Sequence, residues 1–155
     1  MGQRQFARCA SGLRTGLSMA DVMGQLMAAM NRHNPHGVAG VFAADYRSEQ
    51  PLHPHRGFGG SKQVLANWTS VFEGVPDFHA DLIASTYNDG VLWAEQRWTG
   101  TYLDGSPFRM RGVMLLGLRE DRITWARLYM EPVEQAGGDI DAAVRELYHP
   151  PQRSD

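Results

Sequence analysis

Apolar positions recur with helical spacing in the first third of the chain. Val22, Met23, Leu26, Met27 and Met30 fall on one face of a helix. Ser18 and Asp21 precede or open it, the hydroxyl as a cap and the acid favoured by the helix dipole. Asn34-Pro35 marks a second start, with Asn as N-cap and Pro in the first helical position, and Val38, Val41 and Phe42 form its apolar side. Residues 46–52 read as a strand, broken by the loop His53-Pro54-His55-Arg56-Gly57. Ser61 opens a third helix with the stripe Val64, Leu65, Trp68, Val71 and Phe72, stopped by Gly74 and Pro76.

From there the period is two. Strands are expected over 78–87, 91–102, 108–119 and 122–131, separated by Asn88-Asp89-Gly90, Asp104-Gly105 and Glu120-Asp121. After a hinge over 132–138, Asp139 caps a short last helix with Ile140, Val144 and Leu147 directed inward. Helices followed by an antiparallel meander make an α+β fold: a curved sheet wrapped on helices into a cone, whose mouth is a ligand cavity. The run Val113-Met114-Leu115-Leu116 is apolar on both strand faces, so something must cover the outer one. The expectation is a homodimer through the sheet, with fold-back of the C-terminal helix as the competing cover.

Length and charge narrow the class. With 155 residues the chain holds one domain, expected over 18–148 between tails at 1–17 and 149–155. Fifteen Lys+Arg against seventeen Asp+Glu give a net charge of −2, which argues against a nucleic-acid binder. Cys9 is the single cysteine, and no Cys/His group has zinc spacing, so neither a disulfide nor a metal is expected. The first residues carry Arg4, Arg8 and Arg14 without an apolar stretch, consistent with an extension ahead of Met19 and a cytoplasmic protein, with no membrane contact. There is no nucleophile elbow, phosphate loop or dinucleotide fingerprint, and no organic cofactor is expected.

Several motifs in this order carry a resemblance. They are Phe42-Ala43-Ala44-Asp45, Pro51-Leu52-His53-Pro54 with Gly57 or Gly60, Val75-Pro76-Asp77, Trp98-Thr99-Gly100-Thr101, Asp104-Gly105, Arg111-Gly112-Val113, and Arg122-Ile123 leading to Tyr129. Over residues 19–135 the chain resembles the nuclear transport factor two-like superfamily, in its SnoaL-like branch. That resemblance implies the cone fold, and it spans isomerases, polyketide cyclases, epoxide hydrolases, dehydratases and plain binding modules.

The candidate chemistry centres on Glu131, which ends the last strand on the face of Trp125, Arg127 and Tyr129. The limonene epoxide hydrolases are similar here, with a general-base Asp at the matching position. A carboxylate inside an apolar cone would have a raised pKa and serve as acid or base. Gln50 shares a face with Tyr46 and Ser48. Ketosteroid isomerases, which are similar around residues 42–51, place their proton-abstracting Asp there. An amide cannot take that proton, although it can orient a water or a carbonyl. Glu95 and Arg97 are expected to tune the charge of the site, in reversed order relative to the Arg and Asp of the epoxide hydrolases; an outer-face ion pair is the plainer alternative. His53 flanks the cavity as a possible proton shuttle. Tyr46 and Tyr129 offer hydroxyls to a ligand oxygen, while Trp68, Phe72 and Met110 supply apolar contacts.

The expected function is therefore a cofactor-independent enzyme acting by carboxylate acid–base catalysis on a small hydrophobic molecule, by isomerisation, aldol-type cyclisation or water addition. The rival is a non-catalytic dimeric module that binds such a molecule in the same cone. The two differ on whether Glu131 and Glu95 face the cavity or the solvent.

Overall fold

The stripe on the first helix is buried as its spacing requires. In a computed structural model that describes residues 19–149, α1 (Met19–Asn31) holds Val22, Met23, Leu26 and Met30 in the core. Cys9, Ser18 and both expected tails, apart from His149, lie outside the described residues. In α2 (Pro35–Gly40) the Asn34 cap accepts from the Gly37 N–H at 3.0 Å. This helix stops short of Phe42, which instead begins β1 (Phe42–Glu49), four residues before the expected strand. The Ile123 N–H donates to the Val41 carbonyl at 3.0 Å, so the chain is already held against the sheet there.

A 3-10 turn over Pro54–Arg56 leads to β2 (Phe58–Gly59), a two-residue strand too short to show a period. Gly60, at φ +87°, is the N-cap of α3 (Ser61–Gly74), so Ser61 is its first residue and not its cap. The meander follows as β3 (His79–Asn88), β4 (Val91–Thr101), β5 (Pro107–Arg119) and β6 (Arg122–Pro132). The sheet order is β2-β1-β6-β5-β4-β3, with β1 parallel to β6 and the other pairs antiparallel.

Glycine allows the close approach of β5 and β6. A Cβ at Gly112 would overlap the Tyr129 carbonyl, and one at Gly117 would overlap the Trp125 indole. The resemblance motifs meet as clips. Asp77 accepts from the Thr101 N–H at 2.6 Å and its hydroxyl at 2.9 Å, and these bonds hold the Asp77 carboxyl below its ordinary pKa. Asn31 bonds both backbone groups of Ala80, at 2.8 and 2.9 Å, tying α1 to β3. On the inner face Trp68, Phe72, Phe78 and Trp98 pack with ring centroids 5.4–5.9 Å apart.

The last helix corrects one expectation. In α4 (Ile140–Tyr148) the Asp139 carboxylate accepts from the Ala142 N–H at 2.9 Å, as a cap should. Its apolar stripe faces outward, however, with Ile140 at 74% and Leu147 at 82% exposure. It does not fold back across the sheet, and none of its residues is buried. Among the described residues no helix is long and apolar enough to cross a membrane.

Candidate functional site

Between the helices and the inner face of the sheet lies a cavity of about 240 Å³. Leu26 and Met30 line it from α1, and Val64, Trp68 and Val71 from α3. Phe42, Phe58, Trp98, Met114, Leu116, Ala126 and Leu128 complete the apolar wall. Three neutral polar side chains interrupt it: Tyr46, Gln50 and Asn67.

Each is positioned by its element. Tyr46 lies on the inner face of β1, is 3% exposed, and packs edge-on against Phe42 and Phe58. Burial pushes its phenol up to about 12, against an opposing contribution from the Ser48 hydroxyl, so at neutral pH it is an uncharged donor. Gln50 follows β1 on the same side, in the bend before Pro51. Asn67 lines the cavity from α3, between Val64 and Val71 in sequence, and is itself exposed to solvent. Its Oδ1 accepts from Gln63 Nε2 at 2.8 Å, leaving its amide nitrogen as the donor. The resemblance did not point to Asn67, but its position i+3 from Val64 on an apolar face marks it in the sequence.

A second polar group stands behind this wall. Gln96 is fully buried on the inner face of β4, and its Oε1 accepts from the Trp98 Nε1–H at 2.7 Å. Because an indole nitrogen only donates, this bond fixes which end of the amide faces Trp98. The Gln96 Nε2 has no partner among the described residues.

The charged candidates are elsewhere. Glu131 is on the outer sheet face, opposite Arg111 in register, and accepts from His53 Nε2 at 2.8 Å. Its side chain is 38% exposed and that of His53 34%, so Glu131 does not lie sequestered in the cone. Glu95 accepts from Arg111 at 2.6 and 3.0 Å on the same outer face. Arg97 forks onto Asp81 at 2.8 and 3.1 Å and holds that carboxyl below its ordinary pKa. Tyr129 is exposed between these pairs.

Period two explains the placement. The inner face of β4 carries Leu92, Ala94, Gln96 and Trp98, and that of β6 carries Ala126, Leu128 and Met130, so the odd-numbered residues point out. Phe72 stacks on His33 with centroids 5.1 Å apart, and Met110 packs against the core beside Trp98; neither lines the cavity. Of the expected ligand contacts the structure places Tyr46 and Trp68 there, and of the expected catalytic residues Gln50.

Solved structures share this architecture. A protein of ketosteroid isomerase-like fold from Catenulispora acidiphila, in complex with trimethylamine, aligns with a TM-score of 0.63 at 18% identity, covering 71% of this chain and 85% of that one. IdmH of Streptomyces antibioticus, described as a proposed polyketide cyclase, aligns at 0.62 and 17% identity, over 72% and 91%. A cystatin-fold protein from Novosphingobium aromaticivorans aligns at 0.60 and 18%, over 72% and 97%. At such identities the likeness is one of fold. No curated protein matches the chain. The model of the SnoaL-like domain matches residues 23–126, which span most of α1, all of α2 and α3, strands β1 to β5 and the start of β6. The chain belongs to the SnoaL-like domain family.

Proposed function

We propose that this protein binds a small, uncharged, mainly apolar molecule carrying one or two oxygens, and that it does so without acid–base catalysis by a carboxylate. The observation that carries this is the cavity lining: among the described residues Tyr46, Gln50 and Asn67 are its polar members, and no Asp, Glu, His, Lys, Arg or Cys is among those that form it. A phenol raised to about 12 donates a hydrogen bond and does not act as a base near neutrality. Amides orient oxygens and take no proton from carbon. The cavity of about 240 Å³ equals about eight waters of liquid at ~30 Å³ each, which suits a monocyclic or short-chain molecule.

One observation favours a second reading. A neutral, buried phenol facing a cavity is also a group that can polarise a carbonyl, so an isomerisation or aldol-type cyclisation with water as the base is compatible with Tyr46. A single experiment separates the two. Small ketones, lactones, phenols and matched hydrocarbons are titrated while tryptophan emission, to which Trp68 and Trp98 of the cavity wall contribute, is followed. Bound samples in D₂O are then analysed for deuterium uptake and product by mass spectrometry. Saturable binding without uptake or product supports the binding module. Conversion that Tyr46→Phe abolishes replaces it with the second reading. Absence of binding across the whole panel overturns both.

A further inference from the structure

The cavity wall is graded from closed to open. Leu26, Met30, Phe42, Tyr46, Leu116 and Ala126 are buried, whereas Gln50 and Phe58 are half-buried and Asn67 is exposed. The cavity therefore opens between α3 and the chain that joins β1 to β2. Gln50 and Phe58 are the two roots of that chain, residues 51–57, and both line the cavity.

This segment holds together as a unit. The His53 N–H donates to the Gln50 carbonyl at 2.8 Å, the Arg56 N–H to the His53 carbonyl at 2.9 Å and the Gly57 N–H to the Pro54 carbonyl at 3.4 Å. Pro51 and Pro54 fix φ at two places. Every residue of the segment is exposed except His53, which is half-buried. Among the described residues one hydrogen bond runs from 51–57 to another element, from His53 Nε2 to Glu131 at 2.8 Å. Strand β1 stops at Glu49, opposite Arg127, while β6 continues to Pro132, which brings the segment beside the last residues of β6.

We propose that residues 51–57 form a strap over the cavity mouth, that the strap swings on its two roots to admit a molecule, and that the His53–Glu131 hydrogen bond is its latch. What the strap admits follows from the binding function proposed above, on which this inference rests. His53 acts twice: its backbone amide closes the bend at Gln50, and its ring ties that bend to β6. A stiff segment moves as one body, so a single bond at its middle restrains both roots. His53 and Glu131 are then positioning residues that work from the outer face without touching the ligand. The strap is shut both before and after binding. Loosening the latch therefore speeds entry and exit alike and leaves affinity nearly unchanged.

The test reports opening with no ligand present. Cys9→Ser removes the native thiol, and Ala126→Cys places a thiol in the cavity wall at a position 1% exposed. The rate at which methyl methanethiosulfonate, uncharged and small against about 240 Å³, reacts with that thiol reports how often the mouth opens. His53→Ala and Glu131→Leu should each raise the rate about fivefold, the worth of one partly exposed hydrogen bond. The double variant should go no further, because both changes remove the same bond. Glu131→Gln keeps an acceptor for the His53 N–H and should stay within about twofold. Urea midpoints for each protein separate strap opening from global unfolding, and Val64→Cys, which lines the cavity from α3, repeats the comparison with a second thiol. In stopped flow with cyclohexanone, His53→Ala should raise the association and dissociation rates together. Thiol rates that stay at the parent value, that multiply in the double variant or that follow the urea midpoint overturn the strap, as does a change confined to one of the two cyclohexanone rates. Thiol rates that rise as expected while cyclohexanone does not bind support the strap and count against the binding function alone.

Discussion

Tyr46 should ionise late, and the protein should lose stability while the pH passes through the gap. The phenol is 3% exposed, and burial raises its pKa from about 10 to about 12. In the unfolded chain it loses its proton at ~10. Between these values the folded chain holds a proton that the unfolded chain has released, so rising pH favours unfolding. The contribution is complete below pH ~10 and is lost as pH climbs through about 12. A difference of about 2 in pKa at 1.36 kcal/mol per pH unit comes to about 3 kcal/mol. The window is open to measurement because Lys62 is the single lysine in the chain. The assay is urea unfolding followed by tryptophan emission at steps from pH 8 to 11.5, for wild type and Tyr46→Phe. The wild-type curve should fall more steeply with pH than the variant. The difference in phenolate absorbance between the two proteins isolates Tyr46, because its four fellow tyrosines are present in both. A midpoint for that difference near ~10, or parallel stability curves, would refute the argument that the cavity holds a neutral donor.

Three further outcomes follow from the same geometry. Asn67→Leu should weaken oxygen-bearing ligands by about five- to tenfold, the worth of one hydrogen bond, and leave matched hydrocarbons unchanged in the emission titration; equal losses for both would mean that the change acts through shape. Glu131→Gln should leave ligand affinity within about twofold, because its carboxylate faces outward onto His53; a tenfold loss would put that pair in contact with the ligand. Gly112→Ala should cost about 1–3 kcal/mol in urea unfolding, since the added Cβ would overlap the Tyr129 carbonyl and the two strands must part. An unchanged midpoint would show that β5 and β6 have room there.

How far the sequence carried this picture depends on the question asked of each element. The stripe Val22–Met30, the Asn34 and Asp139 caps and the four meander strands were legible because each rests on local chemistry. Strand β2 was not, since two residues have no period. The faces of the strands were separable, but period two does not say which face looks inward. Trp125, Arg127, Tyr129 and Glu131 do share a side, and their aromatic members suggested a lining. The better guide was the opposite side, Ala126, Leu128 and Met130, which has no charge at all. The same comparison at β4 sets Glu95 and Arg97 against Leu92, Ala94 and Trp98, and points the charges outward. The orientation of α4 was illegible for a different reason: among the described residues nothing covers its apolar face.

That sorting of faces has a consequence for chemistry. Every charge that the family resemblance offered for catalysis is engaged on the outer face: Glu131 by a hydrogen bond from His53, and Glu95 and Arg97 in ion pairs at an exposure where such pairs contribute little. The inner side keeps polar groups that stay neutral: the Tyr46 phenol, the Gln50 amide, buried Ser48 and the buried Gln96 behind Trp98, with Asn67 of α3 at the cavity from an exposed position. Gln96 is the informative member of this set. Among the described residues its Nε2 is unpaired in a fully buried position, at a cost of about 1–3 kcal/mol, although leucine would fill similar space without it. What the amide gives in return is the acceptor that holds the Trp98 indole, a wall of the cavity, in one orientation. Replacing Gln96 with leucine should then trade one unpaired group for another, the Trp98 N–H, leaving stability within about 1 kcal/mol. Ligand affinity should fall all the same, because the wall is no longer fixed. Stability lost with affinity intact would make Gln96 a packing residue and nothing more.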